Sequence, residues 1–206
     1  MQINFEIEPG KEGDILARFK FWDSSDTAQW FKDHGYTLYK RVKESAVLRP
    51  ALPSESHCDD AEYPYGYFDS SKSRPSSDPL EVYERWGKVA YAQDSANRHV
   101  VIKIVPNGTE EYRVLEFLKS QTLEDLKENC VMPVLDLLPI EGYYFAIMPR
   151  WGYSIDVPYM QDIQEVIIMI HSLLKGLAYL HGHNIAHGVN ISPSSCFLWN
   201  PLTLPS

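Results

Sequence analysis

Lys103 is the residue whose surroundings most demand a chemical explanation. It stands in His99-Val100-Val101-Ile102-Lys103-Ile104-Val105. Strand alternation puts Val101, Lys103 and Val105 on one face, and Val100, Ile102 and Ile104 on the other. A buried ammonium requires an anionic partner; the alternative is an edge-strand lysine whose stem is covered while its head stays in water. A second candidate stretch runs from Tyr179 to Ser195 and contains His181, His183, His187, Asn190, Ser192 and Ser195. It closes a long amphipathic helix and opens a loop. His171, His181 and His183 recur one to two turns apart, but no carboxylate or cysteine converges with them as a metal site would need.

Several function classes are set aside by composition. Nineteen basic and twenty-eight acidic residues give a net charge of −9 over 206 residues. An acidic chain without a basic cluster is a poor match for a nucleic-acid backbone. No apolar run reaches the roughly 20 residues of a membrane span. Met1-Gln2-Ile3-Asn4-Phe5-Glu6 lacks the basic start and apolar centre of a secretory signal. Cys58, Cys130 and Cys196 are odd in number and form no CxxC, which fits reduced thiols of the cytoplasm or nucleus. The expected setting is therefore intracellular, with neither membrane nor nucleic acid as partner.

The elements that would hold Lys103 follow from pattern. Asp26 to His34 reads as a short helix capped from Ser24-Ser25-Asp26, and Gly35 to Val42 as a strand with Lys40, Arg41 and Lys43 on a solvated face. From about residue 50 to 80, Pro, Ser and Asp dominate; an aromatic island at Tyr63–Phe68 interrupts what reads as a linker. Trp86–Gln93 and His99–Val105 read as strands around a turn at residues 94–98. A helix opens near Glu110, capped by Asn107 or Thr109, with Tyr112, Leu115 and Leu118 (or Val114 and Phe117) as its apolar stripe. Val131–Leu138 and Tyr143–Met148 read as a hairpin turning at Glu141-Gly142. Ile163, Val166, Ile167, Ile170, Leu173, Leu174, Leu177 and Leu180 trace the strongest helix, with Gly182 as its stop.

In this order the motifs resemble those of the protein kinase family, and the wording around His183–His187 is similar to kinase-like proteins of fungi. Val101-Ile102-Lys103 resembles the V-A-I-K strand, whose lysine holds the ATP phosphates. Gly87-Lys88-Val89 resembles the end of the glycine-rich loop; Gly87 would be its third glycine, and Val82 and Glu84 stand where the first two belong. The resemblance implies that Glu111 pairs with Lys103, while Glu110 and Glu116 read as surface or helix-dipole glutamates. It also implies Met148 as gatekeeper and residues 149–152 as a hinge, with Pro149, Arg150 and Trp151 beside adenine.

The catalytic loop can be aligned two ways. With His187 as the family histidine, Gly188 and Val189 replace the arginine and the catalytic aspartate. In the other register Asn190 replaces the aspartate and Ser195 the asparagine. Neither supplies a carboxylate as base.

The resemblance thus implies an α+β, protein-kinase-like fold: a β-rich N-lobe plus the first helices of a truncated helical C-lobe. Residues 1–80 would be an extension with a linker at 50–80. Residues 81–206 would be a partial kinase-like domain, with the N-lobe at 81–148, the hinge at 149–152 and the C-lobe from 153. The implied cofactors are ATP and Mg2+. The implied activity is phosphoryl transfer to Ser or Thr of a protein, impaired in this copy. A non-catalytic pseudokinase that binds a protein partner, and a small-molecule phosphotransferase, are the alternatives.

Overall fold

The computed structural model describes residues 15–43, 45–53, 81–150 and 163–186. In chain order its elements are α1 (Ile15–Asp23), α2 (Ser25–Asp33), β1 (Thr37–Leu38), β2 (Lys40–Arg41), β3 (Val47–Arg49), β4 (Val82–Tyr83), β5 (Val89–Gln93), β6 (His99–Pro106), α3 (Glu110–Ser120), α4 (Leu123–Glu128), β7 (Asp136–Ile140), β8 (Tyr143–Pro149) and α5 (Ile163–Gly182). The class is α+β. Five strands form an antiparallel sheet in the order β1-β5-β6-β8-β7, and β2-β3-β4 form a second, three-stranded sheet.

The β6 strand lies at the centre of the larger sheet because β-branched residues fill both of its faces. One face presents Val100, Ile102 and Ile104, all buried, to a core with Ala90, Ala92, Phe145 and Ile147. Two N-terminal helices lid this core. Trp22 of α1 and Phe31 of α2 sit 5.8 and 4.8 Å from the Phe145 ring, centroid to centroid. Ser24 caps α2 by accepting the Thr27 N–H. The other face carries Val105, Ala146 and Met148 into a second core with Leu115 and Leu118 of α3, Leu126 of α4 and Leu180 of α5. Tyr179 of α5 donates its hydroxyl to the Asp125 carboxylate at 2.6 Å, which fixes that helix against α4.

This arrangement changes several expectations. Residues 15–49 do not stand apart as an extension: β1 is an edge strand of the main sheet, and Trp22 and Phe31 belong to its core. Their aromatic side chains need a partner surface, and the Val100/Ile102/Ile104 face supplies it. The strand expected over Gly35–Val42 is divided between two sheets: Thr37 and Leu38 pair with β5, and Lys40 and Arg41 with β3. The strand expected from Trp86 begins at Val89, because Glu84 and Gly87 close a turn first. Of the stretch 131–138, only Asp136 onward is strand, while Val131 and Val134 are buried in the second core. Pattern reading also left out α1, α4, β3 and β4. The linker sequence from residue 54, the Tyr63–Phe68 island, Trp151, His187, Asn190 and Ser195 lie outside the described residues. No described helix is long and apolar enough to cross a membrane.

If residues 15–49 share one core with the sheet, Phe31→Ala should lower the unfolding free energy by about 3–5 kcal/mol. Denaturant unfolding followed by far-UV dichroism and by tryptophan fluorescence should then shift together. A variant that loses only a minor early transition, with the main one unmoved, would show that the two helices are an appendage.

Candidate functional site

Lys103 is the fifth residue of β6, with Val89 of β5 and Ala146 of β8 as its lateral neighbours. It therefore stands on an inner strand, and the edge-strand alternative is ruled out by topology. Its stem crosses the face that bears the second core, so its ammonium requires a fixed anion. The chain supplies one locally. After Pro106 it turns at Asn107-Gly108, where Gly108 has φ +73°. Asn107 N–H donates to Gly142 C=O at 3.0 Å. Thr109 then caps α3: its hydroxyl donates to Pro106 C=O at 2.9 Å and accepts from Tyr112 N–H at 3.2 Å. This short reversal brings Glu111, in the first turn of α3, back over Lys103, and the two form an ion pair. Eight residues suffice because the helix starts almost where the strand stops. The helix N-terminus also favours a carboxylate there.

The pair is not sealed: the Lys103 side chain is 24% exposed and that of Glu111 37%. A semi-exposed ammonium oriented by a carboxylate is suited to binding an anionic oxygen, a phosphate above all. Beside it, Val101 lies opposite Met148 across β6 and β8, and Val89 lies opposite Lys103. Strand parity puts Val89, Val101, Lys103 and Met148 on one sheet face, an apolar floor with a cation at one end.

A second polar group occupies the other end of that face, and only its arginine figured in the sequence reading. Arg150, just past β8, donates its backbone N–H to His99 C=O at 2.9 Å. Its guanidinium donates to the Tyr39 hydroxyl at 2.8 Å and lies over the Tyr39 and Tyr91 rings. The Tyr39 hydroxyl also meets His99 Nδ1 at 2.5 Å. Arginine can only donate, so the tyrosine oxygen accepts from Arg150; whether the hydroxyl or Nδ1 donates between Tyr39 and His99 follows the imidazole tautomer. His99 Nε2 is buried and has no hydrogen-bond partner among the described residues. Burial first, and then the Arg150 charge, lower the His99 pKa to about 4; Asp94 works in the opposite direction. Burial raises the Tyr39 hydroxyl, against the pull of Arg150. Burial likewise pushes Tyr91 to about 12, with the Glu84 charge adding to the effect. In sequence, Tyr39 and His99 are 60 residues apart, and nothing in either local pattern marks the contact.

Gly87 sits in a different role from a loop that covers a ligand. It has φ +65°, and a Cβ there would come within 2.9 Å of Arg18 Cβ and 3.2 Å of the Phe19 ring. Its carbonyl accepts from Trp22 Nε1 at 2.9 Å. Its N–H and that of Trp86 both donate to one Glu84 carboxylate oxygen, at 2.7 and 2.8 Å. Glu84 is buried, which raises its pKa, while these backbone donors hold it down. The turn before β5 is thus closed by its own carboxylate and packed under α1. Moreover β4, which precedes it, pairs with β3; β1 is the strand that flanks β5. Of the other expected site residues, Val89, Val101, Lys103, Glu111, Met148, Pro149 and Arg150 lie on or just beside the inner strands β5, β6 and β8 and the first turn of α3. Among the described residues no three His, Cys, Asp or Glu side chains gather as a metal site.

His99 yields a pH prediction. Its folded pKa of about 4 lies below the unfolded value of about 6.5. The unfolded chain therefore takes up the proton first, and stability is lost as pH falls from about 6.5 towards 4, with no further loss from this group below that. His99→Gln cannot titrate and should flatten the part of the melting-temperature profile between pH 6.5 and 4. An unchanged slope would mean that His99 is not held neutral.

The sequence matches none of the models of known protein families.

Proposed function

We propose that this chain is a protein-kinase-like domain that binds an adenine nucleotide, with Lys103 as the phosphate ligand. The single observation that carries this reading is the Lys103–Glu111 ion pair between an inner strand and the first turn of the next helix. A lysine paired in this way, beside an apolar floor of Val89, Val101 and Met148, meets the two demands of a nucleotide: a cation for its phosphates and a dry surface for its base. Glu111 would orient the ammonium, and the backbone at Pro149 and Arg150 would border the base. Bound ATP supplies an activated phosphoryl group. In the family that group passes to a protein Ser or Thr, and this copy offers Asn190 or Val189 where a carboxylate would orient the hydroxyl. Asparagine can position a hydroxyl but cannot take its proton, and loss of a positioned base costs roughly 10²–10⁴ in rate. No three His, Cys, Asp or Glu side chains gather among the described residues; Mg2+ that accompanies ATP in the family would be held by one or two carboxylates together with the phosphates.

A second reading, a binding module without nucleotide, is favoured by the turn at Glu84. The N–H groups of Trp86 and Gly87 are bonded to a buried carboxylate, so they are not offered to a phosphate.

A titration of the full chain with ATP, with and without Mg2+, separates the two. On the first reading the melting temperature rises with ligand; at 100 times Kd the stabilisation is about 2.7 kcal/mol. Lys103→Ala should abolish the rise, and Glu111→Gln should weaken it. A folded wild-type chain whose melting temperature ignores ATP at millimolar concentration would overturn the nucleotide reading.

A further inference from the structure

We infer that Tyr39, His99 and Arg150 form a clamp that positions the backbone edge read by the ligand's base, so that the N-terminal segment is part of the binding site. This rests on the nucleotide reading above and extends it to residues outside the motif set. The backbone polar groups of successive strand residues point to opposite sides. Ile147 C=O accepts from Leu135 N–H on the β7 side at 2.8 Å, and Arg150 N–H donates to His99 C=O on the β6 side at 2.9 Å. The Pro149 carbonyl therefore points away from β6, past Asp136, where β7 ends its pairing with β8. This is the edge at which a planar base with a hydrogen-bond donor could be read.

What holds that edge is a closed ring of contacts. Arg150 is bonded to His99 through its backbone and to Tyr39 through its guanidinium, at 2.8 Å. Tyr39 in turn meets the His99 side chain at 2.5 Å. His99 is only 3% exposed, and Tyr39 is pinned by its own N–H to Tyr91 C=O at 2.8 Å. The Arg150 backbone is thus fixed both by the strand ladder and by a side chain that reaches over Tyr91 of β5 to Tyr39. Loss of the Tyr39 hydroxyl opens the ring at its middle and leaves His99 Nδ1 without this partner in a buried site. None of the three residues needs to touch the ligand; each acts through the backbone at 149–150.

The test uses three probes on the full chain: ATP, adenosine and inorganic tripolyphosphate, with dissociation constants from calorimetry or thermal shift. Tyr39→Phe keeps the ring and removes only the hydroxyl. It should weaken adenosine and ATP by roughly three- to tenfold, the equivalent of about one hydrogen bond, and leave tripolyphosphate unchanged. Lys103→Ala should do the reverse, weakening ATP and tripolyphosphate while sparing adenosine. Arg150→Lys, which retains a donor, should recover part of what Arg150→Met loses for adenosine. If Tyr39→Phe is less well folded, the Arg150 pair decides the question. Equal weakening of all three probes would reduce the clamp to a stability element. Wild-type binding of ATP with Tyr39→Phe and Arg150→Met unaffected would sink the clamp and leave the nucleotide reading standing. A folded wild type that binds none of the probes would remove both.

Discussion

The rest of the structure depends on one constraint: the inner strand β6 must be apolar on both faces and yet carry an ammonium. Val100, Ile102 and Ile104 bury one face completely or nearly so, and Val105 anchors the other. Lys103 sits between these demands, its stem on a packed face and its side chain 24% exposed. The first turn of α3 answers it with Glu111. Much of the local architecture follows from this need: the tight exit at Asn107-Gly108, the Thr109 cap, and the packing of Leu115 and Leu118 that holds α3 over the sheet. A longer connection or an uncapped helix would leave Glu111 adrift and the ammonium without its partner.

The opposite face is governed by area rather than charge. A sheet buried on one side alone would leave Ile102, Ile104, Phe145 and Ile147 in water. The α1 and α2 helices cover them with Trp22 and Phe31, and the aromatic contacts among Trp22, Phe31 and Phe145 lock the cover in place. Gly87 is part of this cover. Its left-handed backbone and missing Cβ let α1 approach at Arg18 and Phe19, and Arg18 Nε reaches Trp86 C=O at 2.7 Å. A glycine that sequence alone would place over a ligand is thus employed in packing, and its neighbour Glu84 takes the backbone donors of the turn.

The α5 helix marks a contrast. Leu173, Leu177 and Leu180 face the second core, whereas Ile163, Ile167, Ile170 and Leu174 are exposed among the described residues. Its apolar residues thus extend beyond the face that packs on the sheet. This breadth explains why periodicity finds the helix so readily and yet does not single out which of its apolar residues meet the core.

How much was legible in the sequence follows the range of the forces involved. Apolar runs beside turn residues marked β6 and β8, capping and periodicity marked α2, α3 and α5, and a lysine in an apolar strand marked the site, because each signal is carried by neighbours a few residues apart. Glu111 was within reach for the same reason: it lies eight residues from its partner. The sequence by itself therefore determined the central strands, the principal helices and the cation of the candidate site. Only the tertiary structure decided that residues 15–49 share the sheet's core, that Lys103 lies on an inner strand, that Gly87 serves packing, and that Tyr39 closes on His99 and Arg150. Those outcomes rest on contacts between segments far apart in sequence, such as Tyr39 with Arg150, 111 residues on, and Trp22 with Phe145. They depend on strand order and register, and those are set by the competition of whole faces for burial rather than by any local pattern.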